Sequence, residues 1–536
     1  MENNKYYLLI LTILCSILIL FSSNINDFFL SDDFIFLFYS HFFTFWTNPL
    51  LAIRPFATII FEVQNSIFGF DPQGYHIINI GIHILNSYLV FFIINELTNN
   101  EKTSFIGSLM FACFPIFSES VIWISAQFDL WMTAFILLSF FFYLKYHKEH
   151  RLIWLILSLI YFSLAIFSKE IAIVFILIYF SYDVLFDESF SNYFKESTEI
   201  LLKIKKIGKY CIKYLPFLIV ISLFYFLLIF DKKFVPNTIP YFKFASFLEF
   251  IPNSFFPLFL DNSFLYLVTF LVSFFGLIVC FYFTFKSQNK ILKFSLIWII
   301  MIILGFSVFN LTSVDIYFCL ILISINATVQ GRFLYIISAG VVIFYSNVLE
   351  WLYKKEFDMK IKLPIARKYV FFTLIFFILI GNSLLVFSQQ DNWKRASRIS
   401  YNILIKTFAT VPIGTDSVNI YYINVPDHIN DPFGPNWQTN FIFRNGLEEF
   451  IRIFYPHCTI ISFNMIYHKK ILDFELPDWR IPISENEFNR FSNDTSNVML
   501  FFNPITELLI EVSGRNYSDF DPYPFLGIPK PEYWFK

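Results

Sequence analysis

Asp32 and Asp33 stand side by side in Phe28-Phe29-Leu30-Ser31-Asp32-Asp33-Phe34-Ile35-Phe36, about ten residues past an apolar run. Almost every neighbour there favours lipid over water. An ionisable side chain at membrane depth costs roughly 2.5 to 3.5 kcal/mol on insertion scales, so each acid is a candidate functional group. Paired carboxylates suit two chemistries: one can take a proton from a hydroxyl, and the two together can hold a divalent cation.

Further polar residues interrupt the apolar frame. Arg54-Pro55 follows about twenty residues later, and Arg54 is the only base in a long apolar, aromatic loop. It is either a plain surface arginine or, because a guanidinium suits bidentate contact, a phosphate ligand. His76, Asn79, His83 and Asn86 recur at intervals of three and four, which puts them on one helical face. Two histidines seven apart are separated by about 10.5 Å of rise, too far to share one metal. That stripe is either a hydrogen-bonding seam or part of a substrate pocket. Glu119, Gln127 and Asp129 lie in the next connection, Ser168-Lys169-Glu170 in the one after, and Arg332 opens Gly331-Arg332-Phe333-Leu334-Tyr335.

The elements that must position these groups follow from composition. With 57% hydrophobic and only 15% charged residues, the chain is no ordinary soluble globule, whose charged fraction is about a quarter. A spanning helix needs about 20 apolar residues, and about eleven segments, some short, come near this: Tyr6–Phe21, His76–Leu97, Thr103–Phe117, Leu130–Tyr146, Leu152–Phe167, Ile171–Phe186, Leu215–Phe230, Phe264–Phe285, Phe294–Phe309, Phe333–Leu352 and Tyr369–Phe387. The first has no small-residue cleavage site and reads as an uncleaved anchor. Lys and Arg crowd alternate loops, above all 195–213, so the positive-inside rule puts the N-terminus in the cytoplasm and the aspartates outside. Every candidate charge then falls on the outer face. The basic run of 195–213 reads as a solvated, topology-setting loop, and nucleic acid is not an expected partner. The six cysteines are scattered, with neither metal nor disulfide spacing.

From Gln389 onward Asp, Asn and Pro become frequent and no spanning run recurs. Gln389–Phe408 has the look of a connecting helix, Val418–Val425 alternates like a strand, and Leu447–Phe454 has helical spacing. Val498–Phe502 and Glu507–Val512 flank Asn503-Pro504-Ile505-Thr506 like a hairpin. The expected architecture is an all-α polytopic membrane domain over 1–388 and a small extracytoplasmic α/β domain over 389–536.

An acid pair after the first span, Arg54-Pro55, Gly74-Tyr75-His76-Ile77-Ile78-Asn79 with His83, then Pro115, Glu119, Asp129, Ser168-Lys169-Glu170, Tyr182-Asp183 and Arg332-Phe333-Leu334-Tyr335 form an ordered set over about residues 5 to 390. In this the chain resembles the GT-C membrane glycosyltransferases. Within them it is most similar to the branch of transmembrane O-mannosyltransferases that target cadherins and their prokaryotic relatives. The resemblance implies a polyprenyl-phosphate sugar as donor, a protein, glycan or lipid hydroxyl as acceptor, and an inverting transfer at the extracytoplasmic face. It implies Asp32 as general base, with Asp33 supporting it or binding acceptor, and Arg54, Arg332 and Lys169 as phosphate ligands. His76, His83, Glu119, Gln127, Asp129 and Glu170 become substrate-pocket candidates. Some GT-C enzymes use a divalent metal, but no further carboxylate cluster accompanies the pair, so no cofactor is expected.

The chain departs from that branch in two places. The cadherin-directed enzymes continue into tetratricopeptide repeats, where this chain carries 389–536, and Gln127 stands where relatives often have an arginine. The acceptor therefore stays open, and a prokaryotic cell membrane is the expected location. The rival readings are a transporter or lipid carrier, which would show duplicated halves with broken midplane helices, and an inactive relative with a binding role. The orientation is tested by cysteine labelling of intact cells in a cysteine-free background. A cysteine near position 430 should label and one within 195–213 should be protected; the reverse pattern would overturn the topology.

Overall fold

The computed structural model describes residues 2–43, 54–187, 212–230, 254, 275–278, 280–282, 284–286, 289–308, 314–319, 322–327, 331–354, 364–415, 418–429, 440–464, 470–471, 474–475 and 480–517. The basic loop of 195–211 and most of the span expected over 264–285 lie outside the described residues.

The helices are α1 (Glu2–Phe21), α2 (Asp32–Phe42), α3 (Pro55–Phe68), α4 (Pro72–Thr98), α5 (Glu101–Ala112), α6 (Phe117–Ile122), α7 (Gln127–Glu149), α8 (Leu152–Ser168), α9 (Phe175–Phe186), α10 (Leu215–Phe230), α11 (Lys290–Val308), α12 (Gly331–Lys354), α13 (Pro364–Thr410), α14 (Leu447–Phe454) and α15 (Glu485–Ser492). Four helices among the described residues are long and apolar enough to cross a membrane: Pro72–Thr98, Ile124–Glu149, Lys290–Ser307 and Gly331–Trp351. Shorter apolar helices flank them, over Leu9–Asn24, Leu152–Ser168, Ile212–Phe226 and Phe275–Lys286. This is a multi-pass, mostly helical membrane protein, although the expected eleven spans are not reached among the described residues.

Local chemistry sets several helix ends. Asp71 accepts Gln73 N, and Pro72 at the first turn starts α4; Asn99 closes that helix in the left-handed region, and Asn100 caps α5 through Lys102 N and Thr103 N. The long helix α13 passes without a break through the boundary expected at 388/389. Trp393, Ala396, Ile399, Ile403 and Thr407 keep one buried face going to its end.

Beyond α13 the chain forms two sheets. One has the order β11-β10-β3-β6-β9, from Leu508–Glu511, Asn497–Asn503, Asn419–Ile423, Thr459–Asn464 and Ile481–Pro482. Its strands run parallel except the antiparallel edge β11. The other is antiparallel, of order β5-β4-β8-β7, with β5 at Asn440–Phe441, β4 at His428–Ile429, β8 at Phe474–Glu475 and β7 at Lys470–Ile471. An antiparallel pair, β1 (Val314–Cys319) with β2 (Leu322–Ala327), joins α11 to α12 and had no counterpart among the expected elements.

The strand period divides the larger sheet between two cores. Ile420, Tyr422, Leu500 and Phe502 join the core shared with the helices, and Tyr421, Ile423, Met499 and Phe501 pack with Phe488 of α15 on the other face. The expected strand near 418–425, helix 447–454 and hairpin around Asn503 are all present.

The sheet domain docks on α2 through aromatic contacts. Phe34 packs against Phe443 at 5.2 Å and Phe450 at 4.7 Å, and Ser31 N donates to Ile442 O at 2.9 Å. Gly446 sits at this contact with φ +89°, and a Cβ there would lie 2.6 Å from Ser31 O and 2.8 Å from Phe34 Cβ. Gly446→Ala should therefore lower stability by about 1 to 3 kcal/mol. Gly414→Ala, at the same φ but facing open space, bears only the conformational part. Thermal unfolding in detergent checks this, and equal losses at the two glycines would contradict the docking geometry.

Candidate active site

The site is built on a helix break. After α6 the chain turns through Trp123 and a short 3-10 segment, Ile124–Ala126, before α7 resumes. A break frees backbone groups that must find other partners when buried. The polar stripe of α4 supplies them: Asn79 Nδ2 donates to Val121 O and Trp123 O, each at 3.3 Å, and Asn86 Nδ2 to Leu130 O at 3.1 Å. Asp33 supplies the rest. Its Oδ1 accepts Ser125 N at 2.8 Å and the Ser125 hydroxyl, and its Oδ2 accepts Leu30 N at 2.9 Å. Trp123 Nε1 in turn donates to Leu30 O at 3.2 Å. The start of α2 and the break before α7 are thereby fastened together.

A cavity of about 340 Å³ opens over this junction, lined by Asp32, Arg54, Asp129, Lys169, Arg332 and Arg444, with Ser125, Asn445 and the rings of Phe36, Trp123, Phe128, Phe333 and Phe441. Asp32 occupies the first turn of α2, where the helix dipole favours a carboxylate. Among the described residues, three of the four cations have an acid partner. Arg54 Nη2 is 3.2 Å from Glu170 Oε1, Lys169 Nζ is 2.5 Å from Asp129 Oδ1, and Arg332 Nε is 3.9 Å from Glu119 Oε1. Arg332 also lies over the Trp123 ring at 4.6 Å, Lys169 over Phe333 at 4.7 Å, and Arg444 over Phe441 at 5.3 Å. Such a ring of oriented cations is suited to an anionic group with limited hydration.

The expected site residues divide accordingly. Asp32, Arg54, Arg332, Lys169 and Asp129 meet in the cavity. Asp33, only 1% exposed, is not among the residues lining it and accepts from Ser125 and Leu30. His76 and His83 do not line it: His76 Nε2 pairs with Asp27 O at 2.8 Å, and His83 Nδ1 with the Tyr335 hydroxyl at 2.7 Å. Gln127 accepts from Gln64 at 2.8 Å within the core. Glu119 and Glu170 stand behind the arginines rather than on the wall. Sequence reasoning missed Trp123, Ser125, Arg444 and Asn445. The Asn445-Gly446 dipeptide is a turn signal, but nothing local aims that turn at the membrane domain.

Burial sets the direction of titration for Asp33, Glu119 and Lys169. It pushes Asp33 up to about 7 despite the Ser125 and Leu30 hydrogen bonds, and Glu119 up to about 7 despite Arg332. Lys169 is drawn down to about 8 by burial, opposed by Asp129 and helped by Arg54 and Arg332. Among the described residues no three His, Cys, Asp or Glu side chains gather as a metal site.

A second cavity, of about 320 Å³, lies beside the first and shares Asn445 with it. Its lining includes Ile35, Phe443, Glu448, Glu449, Ser462 and Arg480. One pocket is thus rich in cations and its neighbour carries two acids.

Apolar helices around a polar, cation-lined cavity define a multi-pass membrane protein with a chemical site. Residues 49–202 match the family described as dolichyl-phosphate-mannose-protein mannosyltransferase, so this stretch is O-mannosyltransferase-like, in keeping with the GT-C resemblance. It is 32% identical over 95 residues to protein O-mannosyl-transferase TMTC2 of Homo sapiens, covering 18% of this chain and 11% of that protein. It is 27% identical over 147 residues to protein O-mannosyl-transferase Tmtc1 of Drosophila melanogaster, covering 26% and 17%. The chain therefore matches under a fifth of the length of either relative. Among solved structures, ArnT from Cupriavidus metallidurans bound to undecaprenyl phosphate is similar over 94% of each chain, at 11% identity and a TM-score of 0.46. That level is too low to carry details from one chain to the other.

Because Lys169 loses its charge as pH rises through about 8, binding of an anion in the cavity should weaken over that range. A long-chain alkyl methyl phosphodiester, whose own charge is constant there, is a suitable ligand in detergent. Affinity should fall above about pH 8, and Lys169→Arg, which stays charged, should remove the fall. An unchanged affinity to pH 9.5 would contradict the assignment.

Proposed function

We propose that the protein is an integral-membrane glycosyltransferase that moves a sugar from a polyprenyl-phosphate donor to a hydroxyl of a protein or of an envelope glycan or lipid. The observation that carries this reading is the single cavity holding Asp32 together with Arg54, Lys169, Arg332 and Arg444. The family match over 49–202 and the O-mannosyl-transferase relatives support it. The transfer takes place on the extracytoplasmic face, with the N-terminus in the cytoplasm and residues 389–536 outside, in a prokaryotic cell membrane.

The chemistry divides between the two kinds of charge. A phosphate leaves without prior protonation, so the site needs no acid on that side. The acceptor hydroxyl gives its proton to Asp32 while its oxygen bonds to the anomeric carbon. The bond from that carbon to the phosphate oxygen breaks, and its electron pair departs with the phosphate. Arg54, Arg332 and Lys169 stabilise that charge, with Arg444 beside them. Attack from the face opposite the phosphate inverts the anomeric centre. The cavity lined by Glu448 and Glu449 is the side from which the acceptor approaches. Asp33 keeps Asp32 in place through the Ser125 turn.

The test is transfer of label from a panel of polyprenyl-phosphate sugars by the purified protein, with Asp32→Asn alongside. Asp32→Asn keeps the size of the side chain but removes the base, and it should lower transfer at least about a hundredfold without altering expression. Full activity in that variant would remove Asp32 from the mechanism. Binding of donors without transfer by the unaltered protein would favour an inactive relative.

A further inference from the structure

The wall of the cavity contributed by the sheet domain makes direct contact with the proposed base. Phe441, Arg444 and Asn445 all belong to the segment from β5 to α14. Asn445 Nδ2 donates to Asp32 Oδ1 at 2.9 Å. The segment is anchored on both sides of that contact. Ile442 O accepts Ser31 N at 2.9 Å, directly before Asp32, and Ile442 N donates to Asp427 O at 2.8 Å. On the far side Phe443 is stacked on Phe34, and Gly446 lies against Ser31 O where no side chain fits. One turn therefore holds the backbone before Asp32, the ring two residues after it, and its carboxylate. Asn445 also lines both cavities, so it stands where the two pockets meet.

We infer that Asn445 is a positioning residue for the transfer, aligning the Asp32 carboxylate for proton abstraction and making the sheet domain part of the catalytic unit. This rests on the reading of Asp32 as base. With Oδ1 accepting from Asn445, Oδ2 is the oxygen turned to the acceptor. The acceptor proton passes to Oδ2, the acceptor oxygen forms its bond to the anomeric carbon, and the phosphate leaves with the electron pair of the broken bond. An amide suits this place because it directs the carboxylate without competing for the proton. The Asn445 side chain is exposed and Asp32 half-buried, so their contact adds little to stability. Its effect falls on rate.

The experiment uses the full-length protein in detergent with the polyprenyl-phosphate sugar it transfers best. Asn445→Ala should lower kcat about tenfold, with the donor KM within about twofold and the thermal midpoint unchanged. In an Asp32→Asn background the same substitution should leave the residual rate unaltered, because the group it positions is already gone. A purely structural role would give the same loss in both backgrounds. Full kcat in Asn445→Ala, or an undiminished loss beside Asp32→Asn, overturns the inference. Wild-type protein that transfers from no donor sinks both the inference and the reading beneath it, whereas an active wild type with an unimpaired Asn445→Ala sinks the inference alone.

Discussion

The buried carboxylate of Asp33 is the interaction on which the site depends. It receives two donors from Ser125, within the helix break, and one from Leu30, before α2. A broken helix in an apolar surround is costly unless its freed groups are paired. Asp33 with Asn79 does that pairing, and by doing so it fixes where Asp32, Trp123 and Asp129 stand. Ser31, at φ +47°, is held in an uncommon conformation immediately before the acids. Strain of this kind costs of order 1 to 3 kcal/mol and persists where the surroundings over-determine the backbone. Here Ile442 and Gly446 of the sheet domain press on Ser31 from one side, and the Asp33 network holds the next residues from the other.

The cavity shows how cations are kept ready in a poorly solvated place. Arg54, Lys169 and Arg332 each have a carboxylate within 4 Å, from Glu170, Asp129 and Glu119. Burying an unpaired charge is far more expensive than burying a pair. Those acids come from the first turns of short or resuming helical segments, Glu119 in α6, Asp129 in α7 and Glu170 in the 3-10 turn after α8, and Glu119 and Asp129 are buried. Aromatic rings complete the support, with Arg332 between Trp123 and Phe333. Cations oriented before a ligand arrives need not reorganise when charge develops, which is where such groups are most effective.

Particular residues mark what could be read directly. His76, Asn79, His83 and Asn86 announced one helical face through their spacing, yet spacing could not choose between pocket and seam. Their hydrogen-bond partners lie far away in the chain, such as Tyr335 for His83 and Asn86. The Asp32-Asp33 pair was visible as an anomaly of charge in an apolar run. That one acid faces the cavity while the other faces inward follows from the helix, because adjacent positions point about 100° apart. The boundary at 389 was read from composition, and the connecting helix expected over Gln389–Phe408 is continuous with the span before it in one helix, Pro364–Thr410.

By itself the sequence determined that this is a multi-pass membrane protein and that a small unit containing sheet follows its apolar part. Hydropathy and periodicity are local properties, and bilayer and sheet alike impose them on every stretch of chain they contain. Tertiary structure alone decided that Arg54, Lys169 and Arg332 converge on Asp32, and that Arg444 and Asn445, more than 400 residues further on, join them. Convergence of this kind depends on how helices pack and where a turn is anchored. Those are sums of many weak contacts between distant segments, and no short run of residues records them.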